Sequence, residues 1–414
     1  MIASLIAMSA LVGATQGENP YGKPLAVAES RRIALTPKLD GVASAEEWDA
    51  LTAEGTVSTF FQWEPGKFHV GTLTAAPAVV VVSVDLGNNG WLIGDDNLEV
   101  RLEPGPGSNV VASARMLDGT NPAGPVWRPL PGFSVASEAK LGRAESMELL
   151  EATIHDPGLG ILPTDDRRKV GLRVDILPLN TPPSEPYLPR PVVPIELVMA
   201  RDAGLPEKMV FRPGNYGRAV VPEQTIKLRF GFEGTNDLGI QKLNLRSEGE
   251  ARDATNLVEV PFPRFDNKGR AFVDYETAVA AGASVGYRVA RGTLNVKDGV
   301  AGVAQMSYRI APDVDIEVIN EIRRTDAVDR TYKQAFRVRS NSGKGLVGQI
   351  SVSVPGPLRI INSPDRRLNL TSRGQAREVF EIYVPASTSG TFPVYFDVTI
   401  GGNKTRQTGF VTIR

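Results

Sequence analysis

Apolar residues alternate with polar ones in segments spread over almost the whole chain. In residues 97–103, Leu98, Val100 and Leu102 are apolar and the residues between them are polar or charged. Successive side chains of a strand point to opposite faces of a sheet, so this spacing predicts antiparallel strands with one face in a core. The same pattern recurs in 170–176, 226–232 and 394–400. Residues 79–82 are apolar throughout, which predicts a strand covered on both faces.

Helical periodicity is weak everywhere, and only residues 45–53 are expected to form a short turn of helix. The 41 glycines and 31 prolines are typical of many turns and short strands. The predicted fold class is therefore all-β, built from β-sandwiches.

The length of 414 residues favours about three domains. Residues 180–194 contain six prolines, which are excluded from central strands. This segment either wraps the first domain or links it to the next. Because residues 195–199 are suited to a closing strand, the first domain is predicted to span 31–200. Two further sandwiches are predicted over 206–311 and 312–414, each roughly the size of an immunoglobulin-like domain.

The first 17 residues form a short apolar run that ends in Val12-Gly13-Ala14. Small residues at this point favour a signal peptide, with 18–30 as a polar linker, although a buried N-terminal strand or helix is the alternative. The predicted location is secreted, periplasmic or attached to the cell envelope. No other segment is long and apolar enough to predict a membrane span.

Charge and cysteine content exclude several classes of function. The chain has 46 basic and 47 acidic residues without a basic cluster, so nucleic acid is not an expected partner. Cysteine is absent, which excludes disulfides, thiolate metal sites and cysteine nucleophiles. The folded state must therefore depend on its hydrophobic cores alone.

Three segments within 31–200 carry a family resemblance when taken together and in order. They are Leu39-Asp40-Gly41-Val42 with Glu46-Glu47-Trp48, then 79–85 with Trp91 and 95–100, and finally Leu150-Glu151-Ala152-Thr153-Ile154 with 170–176. In this order they resemble the family 9 carbohydrate-binding modules. The resemblance implies a two-sheet β-sandwich that binds a sugar.

The resemblance also implies a site. In that family two tryptophans clamp a terminal sugar, because the C–H face of a pyranose packs on aromatic rings. Trp91 matches the first clamp position. Residues 184–190, near the second position, contain no tryptophan. Tyr187 is the candidate replacement, or else Trp127 with Arg128 approaching from another loop.

Modules of this family often hold structural calcium, and the candidate ligands are Asp85, Asp95 and Asp96. Carboxylate oxygens are the ligands that calcium prefers. Loop aspartates are also common turn formers, which is the alternative interpretation. Trp48 and the aromatic segment 60–68 are expected to lie in a core rather than on an exposed patch.

The last predicted domain resembles the immunoglobulin-like accessory domains of secreted glycosidases and deacetylases. The residues that carry this resemblance are 336–341, 348–355 and 380–385. Such domains act as spacers or add contacts to a substrate. No catalytic domain of the kind they accompany is evident in the sequence.

No catalytic motif accompanies the two histidines, His69 and His155. The leading hypothesis is therefore an exported, non-catalytic protein that binds a polysaccharide or cell-surface glycan, or acts as a scaffold for a partner protein. The alternatives are an accessory subunit of a carbohydrate-active hydrolase or, more weakly, such a hydrolase itself. A third hypothesis is an electron-transfer sandwich that holds haem b between Met116 and His155.

Overall fold

The computed structural model describes residues 31–42, 44, 47–54, 57–90, 95–107, 109–119, 123–183, 190–248, 257–319 and 330–413. These residues form pairs of sheets that enclose three separate hydrophobic cores. The chain is all-β with several β-sandwiches in tandem, as the alternation predicts. We refer to them as the first, second and third sandwich.

The first sandwich packs a seven-stranded sheet, in the order β1-β12-β11-β5-β6-β7-β8, on a five-stranded sheet, in the order β2-β3-β4-β10-β9. Only the β1–β12 pair among these described strands is parallel. The elements are β1 (Arg31–Ile33), β2 (Asp49–Glu54), β3 (Val57–Glu64), β4 (Lys67–Thr74), β5 (Val79–Asp85), β6 (Asn97–Pro104), β7 (Val110–Asp118), β8 (Val126–Pro129), α1 (Pro131–Ala136), β9 (Glu138–Ala144), β10 (Met147–His155), β11 (Arg168–Leu177) and β12 (Val193–Val198).

The second sandwich contains a six-strand assembly, β13-β21-β20-β17-β18 with β15 beside β21, and the sheet β14-β16-β19. Its strands are β13 (Ala200–Ala203), β14 (Val210–Phe211), β15 (Ala219–Val220), β16 (Thr225–Glu233), β17 (Lys242–Glu248), β18 (Val258–Pro261), β19 (Arg270–Ala278), β20 (Gly286–Val296) and β21 (Gly299–Ile310), with a 3₁₀ turn at Asn236–Leu238. Its core lies within 200–310. Residues 200–203 form its first strand, β13.

The third sandwich pairs the sheets β22-β23-β27-β25 and β26-β24-β28-β29. Its strands are β22 (Val314–Ile319), β23 (Arg330–Ser340), β24 (Leu346–Ser353), β25 (Arg359–Ile360), β26 (Asp365–Leu370), β27 (Gln375–Val384), β28 (Gly390–Ile400) and β29 (Asn403–Ile413). Its core lies within 314–413 and includes Phe336 and Phe396, whose ring centroids are 4.8 Å apart.

The four alternating segments are the strands β6, β11, β16 and β28, and their apolar positions point inward. All seven residues of β5 are buried, which confirms the prediction of a strand covered on both faces. Trp48 and the aromatic residues of 60–68 lie in cores. The helical turn predicted over 45–53 is wrong, because 49–54 form β2 and pair with β3. Pairing along the sheet edge outweighs the helix propensity of this segment.

The first and second sandwiches meet along an extended junction. β12 continues through Met199 into β13, so a single stretch of chain serves both. Ser307 donates from its backbone N–H to the carbonyl of Met199 at 2.6 Å, and from its hydroxyl to the carbonyl of Ala34 at 2.7 Å. Among the described residues, no helix has the length and apolar character needed to cross a membrane.

Candidate functional site

The outer face of the seven-stranded sheet carries a group of polar side chains that we call the polar face. In β5 the valines at 80, 82 and 84 point into the core, so Ser83 and Asp85 point to the other side. Ser83 is opposite Glu99 on one neighbouring strand and Arg173 on the other. The polar face comprises Ser83, Asp85, Asn97, Glu99, Arg101, Arg115, Trp127, Arg173 and Asp175.

The described residues at both ends of the proline-rich segment contact the polar face. Arg101 donates to the carbonyl of Thr181, and Arg173 donates to the carbonyl of Pro191 at 3.4 Å. Arg190 binds Asp175 at 2.7 Å. Five residues of the polar face are less than 10% exposed, namely Ser83, Asp85, Asn97, Glu99 and Arg101. Residues 184–189 lie outside the described residues, and whether the segment wraps the first domain or links it onward stays a prediction.

Charges of opposite sign alternate along the polar face. Arg115 donates to Glu99 at 2.6 Å, and the other oxygen of Glu99 lies 3.7 Å from Arg190. Arg190 in turn binds Asp175, which also accepts from Arg173 at 2.8 Å. Removing one partner of such a buried pair leaves an uncompensated charge, which is strongly destabilising. The network therefore holds its side chains in fixed positions.

Asp85 and Asp96 face each other at the end of β5. Asp85 Oδ2 accepts a hydrogen bond of 2.9 Å from the backbone N–H of Gly90. Burial raises the pKa of Asp85; the Gly90 hydrogen bond opposes this shift and the charge of Asp96 reinforces it. A side chain at Gly87 would collide with the Asp96 carboxylate, so the turn needs a glycine there. The carboxylate oxygens of the pair are acceptors of hydrogen bonds.

The buried side-chain oxygens near the end of β5 that accept no hydrogen bond from the described residues include Ser83 Oγ, Asp85 Oδ1, Asn88 Oδ1 and Asp96 Oδ1. Buried polar atoms are normally satisfied, so each is a position for a ligand donor or an ordered water. These atoms are the feature of the polar face that most directly indicates binding.

Of the three predicted calcium ligands, Asp85 and Asp96 are adjacent and Asp95 is exposed. The described part of the chain contains no group of three or more histidine, aspartate or glutamate side chains arranged to hold a metal ion. Calcium binding at Asp85, Asp95 and Asp96 thus stays a prediction from the sequence.

Trp127 lies on β8, an edge strand, rather than in the loop that the sequence suggests. Its ring stacks under Arg115, with the guanidinium carbon 4.4 Å from the ring centroid, which places it at the margin of the polar face. Arg128 points to the opposite side of the strand and pairs with Asp118. Trp127 and Arg128 therefore do not act on the same surface.

Trp91 and Tyr187 lie outside the described residues. The described residues next to these two positions contact the polar face. The backbone N–H of Gly90 donates to Asp85, and Arg190 pairs with Asp175. The backbone N–H of Val192 also donates to the Gly90 carbonyl at 3.3 Å, so Gly90 lies close to the chain that follows Arg190. A clamp formed by residues 91 and 187 stays a prediction.

The structure does not bring together the proposed haem ligands. Met116 is opposite Leu98, on the core side of the seven-stranded sheet. His155 alternates with the core residue Ile154 and so points outward from the five-stranded sheet. The hydrophobic core separates the two side chains, so the pair cannot ligate one haem iron.

Both histidines instead lie beside the buried carboxylate of Glu64. His69 shares a hydrogen bond of 2.9 Å with Thr153 and lies 3.5 Å from Glu64. Burial acts to raise the pKa of Glu64, but contacts with His69, Lys67 and Thr36 hold it well below its ordinary value. Burial lowers the pKa of His155 to about 4, and the nearby charge of Lys67 adds to this effect. This cluster has the character of a structural ion network.

Sequence patterns do not predict a functional role for five residues of this network, Glu99, Arg115, Arg173, Asp175 and Arg190. The sequence did contain a pattern that could have identified them as one surface. All but Arg190 occupy the polar positions of strands whose other face is apolar. The alternation does not show that distant residues such as Arg190 pair with them.

No family model and no curated protein matches the sequence. A mutant of Salmonella alpha-2-macroglobulin is 9% identical with a TM-score of 0.26, over 87% of this chain and 32% of that one. Escherichia coli alpha-2-macroglobulin activated by porcine elastase is 8% identical with a TM-score of 0.27, over 93% and 45% of the two chains. For red sea bream transglutaminase the identity is 8% and the TM-score 0.28, over 50% and 31%.

The chain spans less than half the length of each of these proteins. At these TM-scores the likeness identifies neither a family nor a function.

Proposed function

We propose that this chain is an exported, non-catalytic protein that binds carbohydrate at the polar face of its first sandwich, with the other two sandwiches as a scaffold. The observation that carries the proposal is Trp127 at the margin of the polar face, stacked with Arg115, together with the half-buried Asp96, whose Oδ1 accepts no hydrogen bond from the described residues.

Sugars have the complementary chemistry. Their hydroxyl groups donate hydrogen bonds to fixed carboxylate and hydroxyl acceptors, and their C–H faces pack on an aromatic ring. The ion network of Glu99, Arg115 and Arg190 supports the acceptors, so little side-chain freedom is lost on binding. The resemblance to sugar-binding modules, with Trp91 and Tyr187 as clamp candidates, favours the same surface.

A binding role is favoured over catalysis because the charged groups of the polar face are engaged with one another. Asp175 accepts from both Arg173 and Arg190, and Glu99 accepts from Arg115. A general acid or nucleophile must be free to exchange protons with a substrate. The neighbouring Asp85–Asp96 pair is proposed to act as an acceptor of hydroxyl groups.

The test is a glycan array probed with the full chain, followed by calorimetry on the best ligand. Trp127→Ala is expected to weaken binding about tenfold, the loss of roughly one stacked ring. Phe272→Ala is the matched control, since Phe272 is exposed on the second sandwich with Arg229 5.7 Å from its ring. Trp91→Ala tests the clamp prediction in the same assay.

The proposal fails if the wild-type chain retains no glycan. It also fails if the Trp127 and Phe272 variants bind equally well, because a surface other than the polar face would then hold the sugar.

A further inference from the structure

The first sandwich is open at one end, where its core gives way to a cleft of about 600 Å³ between the two sheets. The inward positions of β4 change from Phe68 and Val70 to Thr72 and Thr74 along the strand. Facing them, the residue directly before β5 is the small Ala78. The sheets therefore do not fill the space between them at this end.

The wall of the cleft is largely apolar and continuous with the core. Val80 and Leu150 are core residues that also line the cleft, and Leu179 at its edge is 45% exposed. The volume lies within the range of about 300–1,000 Å³ for small-molecule sites. An elongated apolar group inserted between the sheets would remain in contact with hydrocarbon along its length.

The mouth contains one donor and one acceptor of opposite charge. Arg143 and Glu148 are directly opposite each other on β9 and β10, and their side chains pair at 2.8 Å. A carboxylate head group would face Glu148, and an ammonium head group would face Arg143. A neutral head with several hydroxyls can accept from the arginine and donate to the glutamate without meeting a like charge.

From this complementarity we propose that the cleft binds a single-chain lipid with a neutral, hydroxyl-bearing head, such as a monoacylglycerol. The chain would lie between the sheets against Val80, Leu150 and Leu179, with the head at Arg143 and Glu148. This site is separate from the polar face, which lies on the other side of the seven-stranded sheet, and does not depend on the proposed sugar binding.

The probe is calorimetry of the full chain with 1-octanoylglycerol and 1-decanoylglycerol below their micelle concentrations. Each methylene buried in the cleft should tighten binding about fourfold, so the longer lipid should bind about fifteenfold more tightly. Ala78→Phe fills the cleft and should abolish binding. Leu179→Ser should weaken it, whereas the matched control Leu257→Ser, at another exposed leucine, should not.

Trp127→Ala should leave lipid binding unchanged, which separates this inference from the proposed function. The proposal is overturned if neither lipid binds saturably, if the two lipids bind equally, or if Leu179→Ser and Leu257→Ser have the same effect. Because both leucines are exposed, these variants are informative even if Ala78→Phe does not fold.

Discussion

The carboxylate of Glu151 accepts a hydrogen bond of 2.7 Å from the backbone N–H of Gly41, across 110 residues of sequence. Gly41 has a φ of 81°, which favours glycine, and a side chain at Gly142 would collide with its backbone. Two of the segments that carry the family resemblance are thus joined by a structural contact. Glu151 fastens the Leu39–Val42 turn to the five-stranded sheet.

Glu151 should make the stability of the first sandwich fall as pH rises. Burial raises its pKa from 4.5 to about 7, so between these values the folded state keeps a proton that the unfolded state has lost. The free energy of unfolding should therefore decrease by about 2–3 kcal/mol over this interval. Glu151→Gln should remove the decrease while retaining an acceptor for Gly41.

Urea unfolding at several pH values measures this effect. The four tryptophans, at positions 48, 63, 91 and 127, all belong to the first sandwich, so their fluorescence reports on it alone. Parallel curves for the wild type and Glu151→Gln between pH 4.5 and 7 would contradict the assignment.

His155 should act with the opposite sign. Its pKa falls from 6.5 to about 4, so between these values the unfolded state binds a proton that the folded state does not. Stability should therefore rise with pH over this interval, by about 2 kcal/mol for a partly buried group. In the Glu151→Gln background the rise should be visible by tryptophan fluorescence, and adding His155→Gln should abolish it. A rise that persists in the double variant would exclude His155 as its source.

Asp156 should be a strong local stabiliser. Its carboxylate accepts hydrogen bonds from the backbone N–H groups of Leu159, Ile161 and Leu162 at 2.6, 2.6 and 2.8 Å. Asp156→Ala leaves these donors without their partner, and the expected loss is about 3 kcal/mol of unfolding free energy. Asp165→Ala, at an exposed position of the same sandwich, is the control and should change stability by less than about 0.5 kcal/mol. Equal effects of the two variants would show that the three hydrogen bonds contribute little.

The inner face of the fold is predictable from the sequence, and the outer face is much less so. The alternation of Leu98, Val100 and Leu102 places these residues in the core, where they are found. The same pattern does not determine whether Glu99 and Arg101 are exposed to water. Both are buried, and Arg101 donates to the carbonyl of Thr181, 80 residues later in the chain. Burial of a polar strand face depends on chain path, which a local period of two does not encode.

The candidate site shows the same limit. Trp127 was a candidate because of its residue type. The face on which it lies is set by the pairing of β8 with β7, and the same pairing places Arg128 on the opposite face. Asp85 and Asp96 were predicted, with Asp95, as calcium ligands from their carboxylate chemistry, and the structure places Asp85 beside Asp96. The pairing of Glu99 with Arg115 and Arg190 joins three separate segments and needed the structure.

Thr36 should couple the unfolding of the first two sandwiches. Its hydroxyl donates to Glu64 at 2.8 Å and accepts from the backbone N–H of Tyr287 at 2.8 Å, while its own N–H donates to the Tyr287 carbonyl at 3.2 Å. Thr36→Val keeps the shape but leaves a buried carboxylate without one donor and an N–H without its acceptor, a cost of about 1–3 kcal/mol. Gly286→Ala should separate the junction further, since a Cβ there would lie 2.8 Å from Thr36 Oγ1.

In the wild type, the tryptophan transition of the first sandwich is expected to coincide with the first transition seen by far-ultraviolet circular dichroism. In Thr36→Val the tryptophan transition should move to a lower urea concentration and separate from the rest of the circular dichroism change. In Gly286→Ala the tryptophan transition should move to a still lower urea concentration. Thr331→Val, at an exposed threonine of the third sandwich, should leave both transitions in place. Coincident transitions in all variants would mean that the shared strand through Met199, rather than the Thr36 contacts, joins the two sandwiches, because that connection is unchanged in each variant.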